Sequence, residues 1–118
     1  MTLNKQDERQ FLVIWEFIIR PGKEELFEQI YGPGGDWVQL FRKGRGYGET
    51  RLARGFDQPL RYLTFDFWES QEDYETFKSR HVDEYNTIDA RCEVLTETER
   101  ELGKFLVSKT AVGRIHPG

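Results

Sequence analysis

Two titratable side chains lie within apolar stretches of the sequence and are the first candidates for acid–base chemistry. His81 follows residues whose apolar side chains recur every three or four positions, and an imidazole titrates near neutral pH. Glu16 interrupts the apolar run FLVIWEFII, where burial would raise the pKa of a carboxyl group. We therefore predict that His81 and Glu16 are catalytic. The alternative for His81 is a structural hydrogen bond at the start of a helical segment, and for Glu16 it is an ion pair with a neighbouring arginine: Arg51, Arg54 or Arg61.

Aromatic residues are abundant, with nine Phe, five Tyr and three Trp. Trp37 and Tyr85 are the first candidates for the walls of a ligand pocket, and Trp68 is a third. The alternative for all three is a place in the hydrophobic core, where large aromatic side chains usually lie. Any chemistry is expected where the helix that carries His81 meets the strand that ends at Trp68.

Residues that would support other chemistries are scarce or badly spaced. The sequence has two His far apart and one Cys, so it lacks the ligand spacing of a metal site. Cys92 has no basic neighbour that would lower its pKa, which predicts an inert buried thiol. The net charge of −4 argues against a nucleic-acid partner, because phosphates require a basic surface. We predict no metal, no cofactor and no nucleic acid.

The length predicts a single domain, residues 1–118, with its core at about residues 11–112. The longest apolar run, residues 11–19, is about half as long as a membrane-spanning helix and contains a glutamate. The first ten residues are polar where a signal peptide would be apolar, and a lone cysteine fits a reducing compartment. We therefore expect a cytoplasmic protein that does not enter a membrane.

Apolar periodicity predicts elements in the order β-α-β-β-α-β. The predicted strands are residues 11–20, 47–56, 61–68 and 105–112; the predicted helices are residues 23–31, a short piece at 36–42, and one long helix from its cap Ser70 to Leu95. Residues 96–102 are predicted as a short helical turn that Gly103 ends. This order is that of the ferredoxin-like α+β fold, an antiparallel sheet with the first and third strands in its centre.

The first and third strands are apolar on both faces, yet the predicted helices cover only one face of the sheet. Leaving the other face in water would forgo about 1.5–3 kcal/mol for each large apolar side chain. We expect a second copy of the chain to cover it, sheet against sheet, as a homodimer. The alternative is that the chain's own termini close this face, although they are polar.

Three features together resemble the antibiotic-biosynthesis monooxygenase family of the dimeric α+β barrel superfamily. They are PGKEELFEQI after the first strand, the motif Asp-x-Trp-Glu-Ser at the end of the third strand, and His81 in the following helix. The motif runs from Asp66 to Ser70, and the resemblance covers about residues 11–112. It implies a dimeric α+β barrel with a pocket between the helices and the sheet.

The resemblance also implies a function. Characterised members of the family oxidise phenolic or quinol-like substrates with dioxygen and without metal or flavin, whereas others only bind a ligand. Such a reaction needs a base near neutral pH and an apolar cage that excludes water. By this resemblance we expect a cofactor-independent monooxygenase for an aromatic compound, with dioxygen as co-substrate; the alternative is a binding protein for a hydrophobic metabolite.

Overall fold

The computed structural model describes residues 9–109, which form four strands, four helices and a 3-10 turn. The strands are β1 (Arg9–Ile19), β2 (Tyr47–Arg54), β3 (Arg61–Trp68) and β4 (Thr96–Ser108). The helices are α1 (Glu24–Tyr31), α2 (Asp36–Phe41), α3 (Gln71–Arg80) and α4 (Val82–Cys92), and the 3-10 turn is Glu93–Leu95. No helix among residues 9–109 is long and apolar enough to cross a membrane.

The four strands form one antiparallel sheet in the order β2-β3-β1-β4. β1 and β3 occupy the centre because they are the strands whose two faces are both apolar, and an edge position would leave their backbones half unpaired. β2 and β4, which carry many charged side chains, form the edges. The sheet confirms the predicted ferredoxin-like α+β fold and the predicted placement of its strands.

One face of the sheet is covered by helices and contains the aromatic core. Phe27 of α1 packs its ring against Phe17 of β1 and Tyr62 of β3, at centroid distances of 5.3 and 4.8 Å. Phe77 of α3 packs against Trp68, the last residue of β3, at 5.1 Å. Because side chains alternate along a strand, every second residue of β1 and β3 points to these helices; they are Phe11, Val13, Trp15, Phe17 and Ile19, with Tyr62, Thr64, Asp66 and Trp68.

The alternate residues of β1 and β3, which point away from the helices, form the opposite face of the sheet. We call it the open face. Its apolar centre consists of cross-strand pairs of β1 and β3: Leu12 with Phe67, and Ile14 with Phe65. Phe65 and Phe67 remain half-buried there. The chain termini, which the alternative prediction placed on this face, lie outside the described residues. Within residues 9–109 the open face is therefore a sheet surface that no helix covers.

The single long helix predicted after Ser70 is wrong, because the chain forms two helices that meet at His81. Ser70 caps α3 as predicted, since its Oγ accepts a hydrogen bond from the Asp73 N–H at 3.1 Å. His81 leaves the helical conformation, with φ −120° and ψ 28°, and α4 begins at the next residue. The apolar spacing continues across this break in steps of four, from Phe77 to His81 to Tyr85, so periodicity alone does not reveal it.

The helical turn predicted at residues 96–102 is also wrong, because this segment is the first half of β4. Its backbone pairs with β1, which sets Thr96 opposite Ile19 and Glu99 opposite Phe17. Gly103 continues the strand next to a register shift instead of ending a helix. Strand pairing therefore outweighs the helical preference of a glutamate-rich segment. The predicted strand end at residue 112 lies outside the described residues.

Candidate functional site

A pocket opens between the helix-covered face of the sheet and helices α1, α2 and α4. Its apolar walls are six aromatic side chains: Trp15, Phe17, Tyr31, Trp37, Phe41 and Tyr85. Its polar lining consists of Thr50, Thr64, Asp66, Asp89 and Glu99. Its enclosed part has a volume of about 50 Å³, which is small compared with pockets that hold drug-sized ligands. The aromatic lining therefore suits only a small planar compound.

Asp66 lies at the inner end of this pocket and is 8% exposed. Its position follows from strand alternation, since it shares the helix-covered face of β3 with Thr64 and Trp68. Thr50, directly opposite on β2, donates a hydrogen bond from Oγ1 to Asp66 Oδ1 at 2.8 Å. Burial raises the pKa of Asp66 to about 7, and the hydrogen bond from Thr50 opposes part of that rise. Asp66 is therefore a buried carboxyl group that can exchange a proton near neutral pH.

A second hydroxyl extends this hydrogen-bond chain. Tyr47 Oη lies 2.7 Å from Thr50 Oγ1. Because Thr50 gives its single hydroxyl proton to Asp66, the hydroxyl of Tyr47 is the donor in the other bond. The order is thus Tyr47 to Thr50 to Asp66, and it holds the Asp66 carboxylate in one orientation at the pocket end.

Trp37 and Tyr85 line the pocket, as predicted for a ligand cage, and their rings meet edge to face at 4.8 Å. Trp37 is 6% exposed, and its buried Nε1–H lies near the Tyr31 hydroxyl and the Cys92 thiol, where it opposes the rise that burial causes in their pKa values. Burial, followed by the negative charges of Asp89 and Asp66, raises the pKa of the Tyr85 hydroxyl. The hydroxyl of Tyr85 therefore stays protonated, and Trp37 contributes its ring to the pocket wall.

Trp68, the third predicted ligand contact, does not line the pocket. It is fully buried and packs against the rings of Phe41, Tyr47, Tyr74 and Phe77. Two of these neighbours belong to the site, since Phe41 is part of the pocket wall and Tyr47 starts the hydrogen-bond chain. Trp68 supports the pocket from behind in this arrangement, and its predicted ligand contact stays a prediction.

Glu16 points to the open face of the sheet, away from the pocket. Its carboxylate accepts hydrogen bonds from Arg61 Nε at 2.6 Å and from Arg100 Nε at 2.7 Å. The hydrogen bond from Arg100, followed by that from Arg61, lowers the pKa of Glu16. The expectation that burial raises its pKa is therefore wrong, whereas the alternative ion pair with Arg61 is confirmed.

His81 lies at the junction of α3 and α4 and is not part of the pocket lining. Its Nδ1 is 2.9 Å from Glu84 Oε1, and Lys43 of the α2–β2 loop donates to the other oxygen of Glu84 at 2.6 Å. Its ring also packs on Phe77, at a centroid distance of 5.1 Å. This is the structural alternative predicted for a histidine at the start of a helical segment, and it places His81 and Glu16 at two separate locations.

Asp66, Thr50 and Tyr47 are the site residues that sequence reasoning missed. Asp66 was prominent only as the first residue of the Asp-x-Trp-Glu-Ser motif. A signal was present, because Asp66 alternates with Tyr62, Thr64 and Trp68 along a strand and so shares their face. Within residues 9–109, no group of three or more His, Cys, Asp or Glu side chains is placed to hold a metal ion.

Solved structures with the same fold include oxygenases. A protein from Bordetella bronchiseptica described as "Putative antibiotic biosynthesis monooxygenase" superposes with a TM-score of 0.64 at 21% identity, over 82% of this chain and 95% of that one. SnoaB, a cofactor-independent oxygenase from Streptomyces nogalater, superposes with a TM-score of 0.62 at 16% identity, over 91% of this chain and 97% of its own. No protein-family model and no curated protein matches the sequence. The predicted resemblance to antibiotic-biosynthesis monooxygenases is thus confirmed at the level of the fold.

Proposed function

We propose that this chain, which shares its fold with the cofactor-independent oxygenase SnoaB, oxidises a small hydroxyaromatic or quinol-like compound with dioxygen. The observation that carries the proposal is Asp66, a buried carboxyl group with a pKa of about 7 at the inner end of an aromatic pocket. In this proposal Asp66 is the general base. It replaces His81 and Glu16 in that role because neither side chain lines the pocket.

The chemistry follows from the residues around the substrate. Asp66 removes the phenolic proton, and the resulting electron-rich anion transfers one electron to dioxygen to give a substrate radical and superoxide. The two radicals combine at a ring carbon that carries hydrogen, and Asp66 returns its proton to the resulting peroxide anion. The hydroperoxide then loses water with the hydrogen of that carbon, so one oxygen atom stays in a quinone product and the other leaves as water. The aromatic walls exclude bulk water, which would otherwise solvate the anion and make it less reactive. The protein supplies the base and the enclosure, and the substrate supplies the electrons.

Oxygen consumption with a panel of hydroquinones and anthrones tests this assignment. We expect substrate-dependent oxygen uptake in the wild type and a loss of about 100-fold or more in Asp66→Asn, because a general base typically contributes that much. His81→Ala and Glu16→Gln test the residues first predicted to be catalytic. If Asp66→Asn keeps the wild-type rate while one of those two variants loses it, the base is misassigned.

A binding protein for a hydrophobic metabolite is the second candidate. The six aromatic side chains of the lining favour it, because a pocket with aromatic walls can bind a phenol without transforming it. In that case the same compounds quench the fluorescence of Trp37 and Trp15 but consume no oxygen. Uptake above the uncatalysed rate excludes this second function.

We also propose that two copies associate through their open faces, as expected for a dimeric α+β barrel, in the cytoplasm. The support is the apolar centre of that face around Phe65 and Phe67, which lies beside the ion pairs of Glu16 with Arg61 and Arg100. A partner sheet would shield both from water, and the pocket on the other face of the sheet would remain open.

A further inference from the structure

We infer that the pocket selects hydroxyaromatic compounds carrying a protonated amine over neutral and anionic analogues. This inference rests on the proposed function, because it uses the same pocket and places the phenolic hydroxyl at Asp66. It adds a prediction of the substrate's charge, which we infer from the charged side chains that line the pocket.

The charged side chains that line the pocket are all carboxylates. Asp66 lies at the inner end, Asp89 of α4 is half-buried, and Glu99 of β4 is exposed at the solvent side. No Lys, Arg or His lines the pocket within the described part of the chain. Such a lining attracts a cation and repels an anion, since like charges in a partly desolvated cleft are costly.

Asp89 and Glu99 also lack the partners that neutralise other acids of this chain. Neither makes an ion pair or a side-chain hydrogen bond with a residue of the described range 9–109, whereas Asp36 is bound by Arg91 and Glu84 by Lys43. Partial burial and the negative charge of Asp89 raise the pKa of Glu99. The two carboxylates therefore form an unbalanced negative patch at the pocket mouth.

A lysine next to the pocket wall does not remove this imbalance. Lys78 of α3 lies over the rings of Tyr74 and Tyr85, with its Nζ at 5.4 and 5.5 Å from their centroids. It contacts Tyr85 without lining the pocket. The pocket interior is left with aromatic faces and carboxylates.

The aromatic walls provide the second, independent observation. Trp15, Trp37 and Tyr85 present aromatic surface to the pocket, and aromatic faces attract ammonium groups. A ligand of this kind would place its phenol ring between the aromatic walls and direct its ammonium towards Asp89 and Glu99. It would thus contact both the aromatic side chains and the carboxylates.

Three commercial phenols of similar size and different charge test the inference. Tyramine is a cation at neutral pH, para-ethylphenol is neutral, and para-hydroxyphenylpropionate is an anion. Dissociation constants are measured at neutral pH and low salt from the quenching of tryptophan fluorescence. We expect tyramine to bind about tenfold more tightly than para-ethylphenol, and the anion to bind most weakly, because cation–π and carboxylate contacts both favour the cation.

Substitutions of Asp89 and Glu99 at the pocket mouth test whether these carboxylates cause the preference for tyramine. Glu99→Gln and Asp89→Asn should each reduce the ratio of the affinity for tyramine to the affinity for para-ethylphenol. Asp57→Asn, which removes an exposed carboxylate from the turn between β2 and β3, is the matched control and should keep the full preference. Added salt should weaken the preference of the wild type.

Equal affinity for the three phenols, or tighter binding of the anion, would overturn the inference. A preference that survives in both Glu99→Gln and Asp89→Asn would also overturn it. If para-ethylphenol binds as tightly as tyramine and hydroquinones still consume oxygen in an Asp66-dependent way, charge selection fails while the proposed function stands. If no phenol binds and no oxygen is consumed, both fail.

Discussion

Asp66 is the residue on which the chemistry depends, because it combines burial, a defined hydrogen-bond partner and access to the pocket. Its folded-state pKa of about 7 lies well above the ordinary value of 3.8. The folded protein therefore holds a proton on Asp66 between these two pH values that the unfolded chain has released. This difference links the proposed base to a property that can be measured without knowing the substrate.

The first prediction is a pH-dependent stability that disappears in Asp66→Asn. A raised carboxyl pKa stabilises the folded state fully below pH 3.8, and this contribution is lost as the pH rises through about 7. Relative to the variant, the wild type should lose roughly 2 to 3 kcal/mol of unfolding free energy between about pH 5 and pH 8. Urea denaturation at the two pH values measures this. Asp57→Asn, at an exposed position, is the control and should show the same pH dependence of unfolding free energy as the wild type.

The second prediction concerns the hydrogen bond from Thr50. Its hydroxyl stabilises the ionised form of Asp66, so Thr50→Val should raise the pKa of Asp66 by on the order of one pH unit. The midpoint of the pH–rate profile should move upward by the same amount. Tyr47→Phe keeps the direct donor and should move the midpoint less. A midpoint that falls in Thr50→Val would contradict the assigned direction of this bond.

At the scale of elements, the loop between α2 and β2 positions the strand that carries Tyr47 and Thr50. Gly46 has φ +85° in this loop, and its carbonyl accepts a hydrogen bond from the Glu69 N–H at 2.7 Å. A Cβ at Gly46 would lie 2.8 Å from Cβ of Asp73, inside contact distance. The loop therefore packs directly on α3 and allows no side chain at this position.

The third prediction uses two glycines that share a conformation and differ in surroundings. Gly34, with φ +79°, has no atom within 4 Å of a built Cβ. Both Gly34→Ala and Gly46→Ala incur the strain of a positive φ, but only the second forces a collision with Asp73. Gly46→Ala should therefore cost about 1 to 3 kcal/mol more than Gly34→Ala. Urea denaturation compares the unfolding free energies of the two variants. Equal losses would show that the loop moves to accommodate the methyl group at position 46.

Much of this arrangement of elements could be predicted from the sequence, because apolar alternation and turn residues mark β1 and β3 directly. The break at His81 could not, since the four-residue spacing of apolar positions continues through it. β4 was missed in its first half because Thr96 to Leu102 has the composition of a helix and becomes a strand only by pairing with β1. The local sequence pattern gives no information on the pairing of this segment with β1.

The candidate site was predicted only in part for a similar reason. Trp37 and Tyr85 line the pocket, and their predicted contact with a ligand stays a prediction. β1 is apolar on both faces, so the sequence did not decide whether the face of Glu16 or the face of Trp15 meets the helices. That choice decides which carboxylate enters the pocket, and the fold places Asp66 there and Glu16 on the open face.

At the scale of the whole molecule, the fourth prediction is a homodimer through the open face. The wild type should sediment at twice its monomer mass of 14.0 kDa at low micromolar concentration, because burial of the apolar centre favours association. Phe65→Glu places a charge in that centre and should shift the protein towards monomer. Val82→Glu, an exposed position on α4, is the matched control and should remain dimeric.

Sedimentation equilibrium separates the outcomes. A wild type that stays at 14.0 kDa across the micromolar range would show that the predicted homodimer is wrong. The pocket, which is built from side chains of a single chain, would be unaffected.

The fifth prediction concerns the protonation of Asp66, because its carboxyl group can be observed by NMR without a substrate. In NMR spectra of protein labelled at the aspartate carboxyl carbons, the Asp66 signal is identified by its absence from Asp66→Asn and followed against pH. We predict a titration midpoint near pH 7, which moves upward in Thr50→Val. A midpoint close to the ordinary value of 3.8 would show a permanently ionised carboxylate and contradict its role as the base.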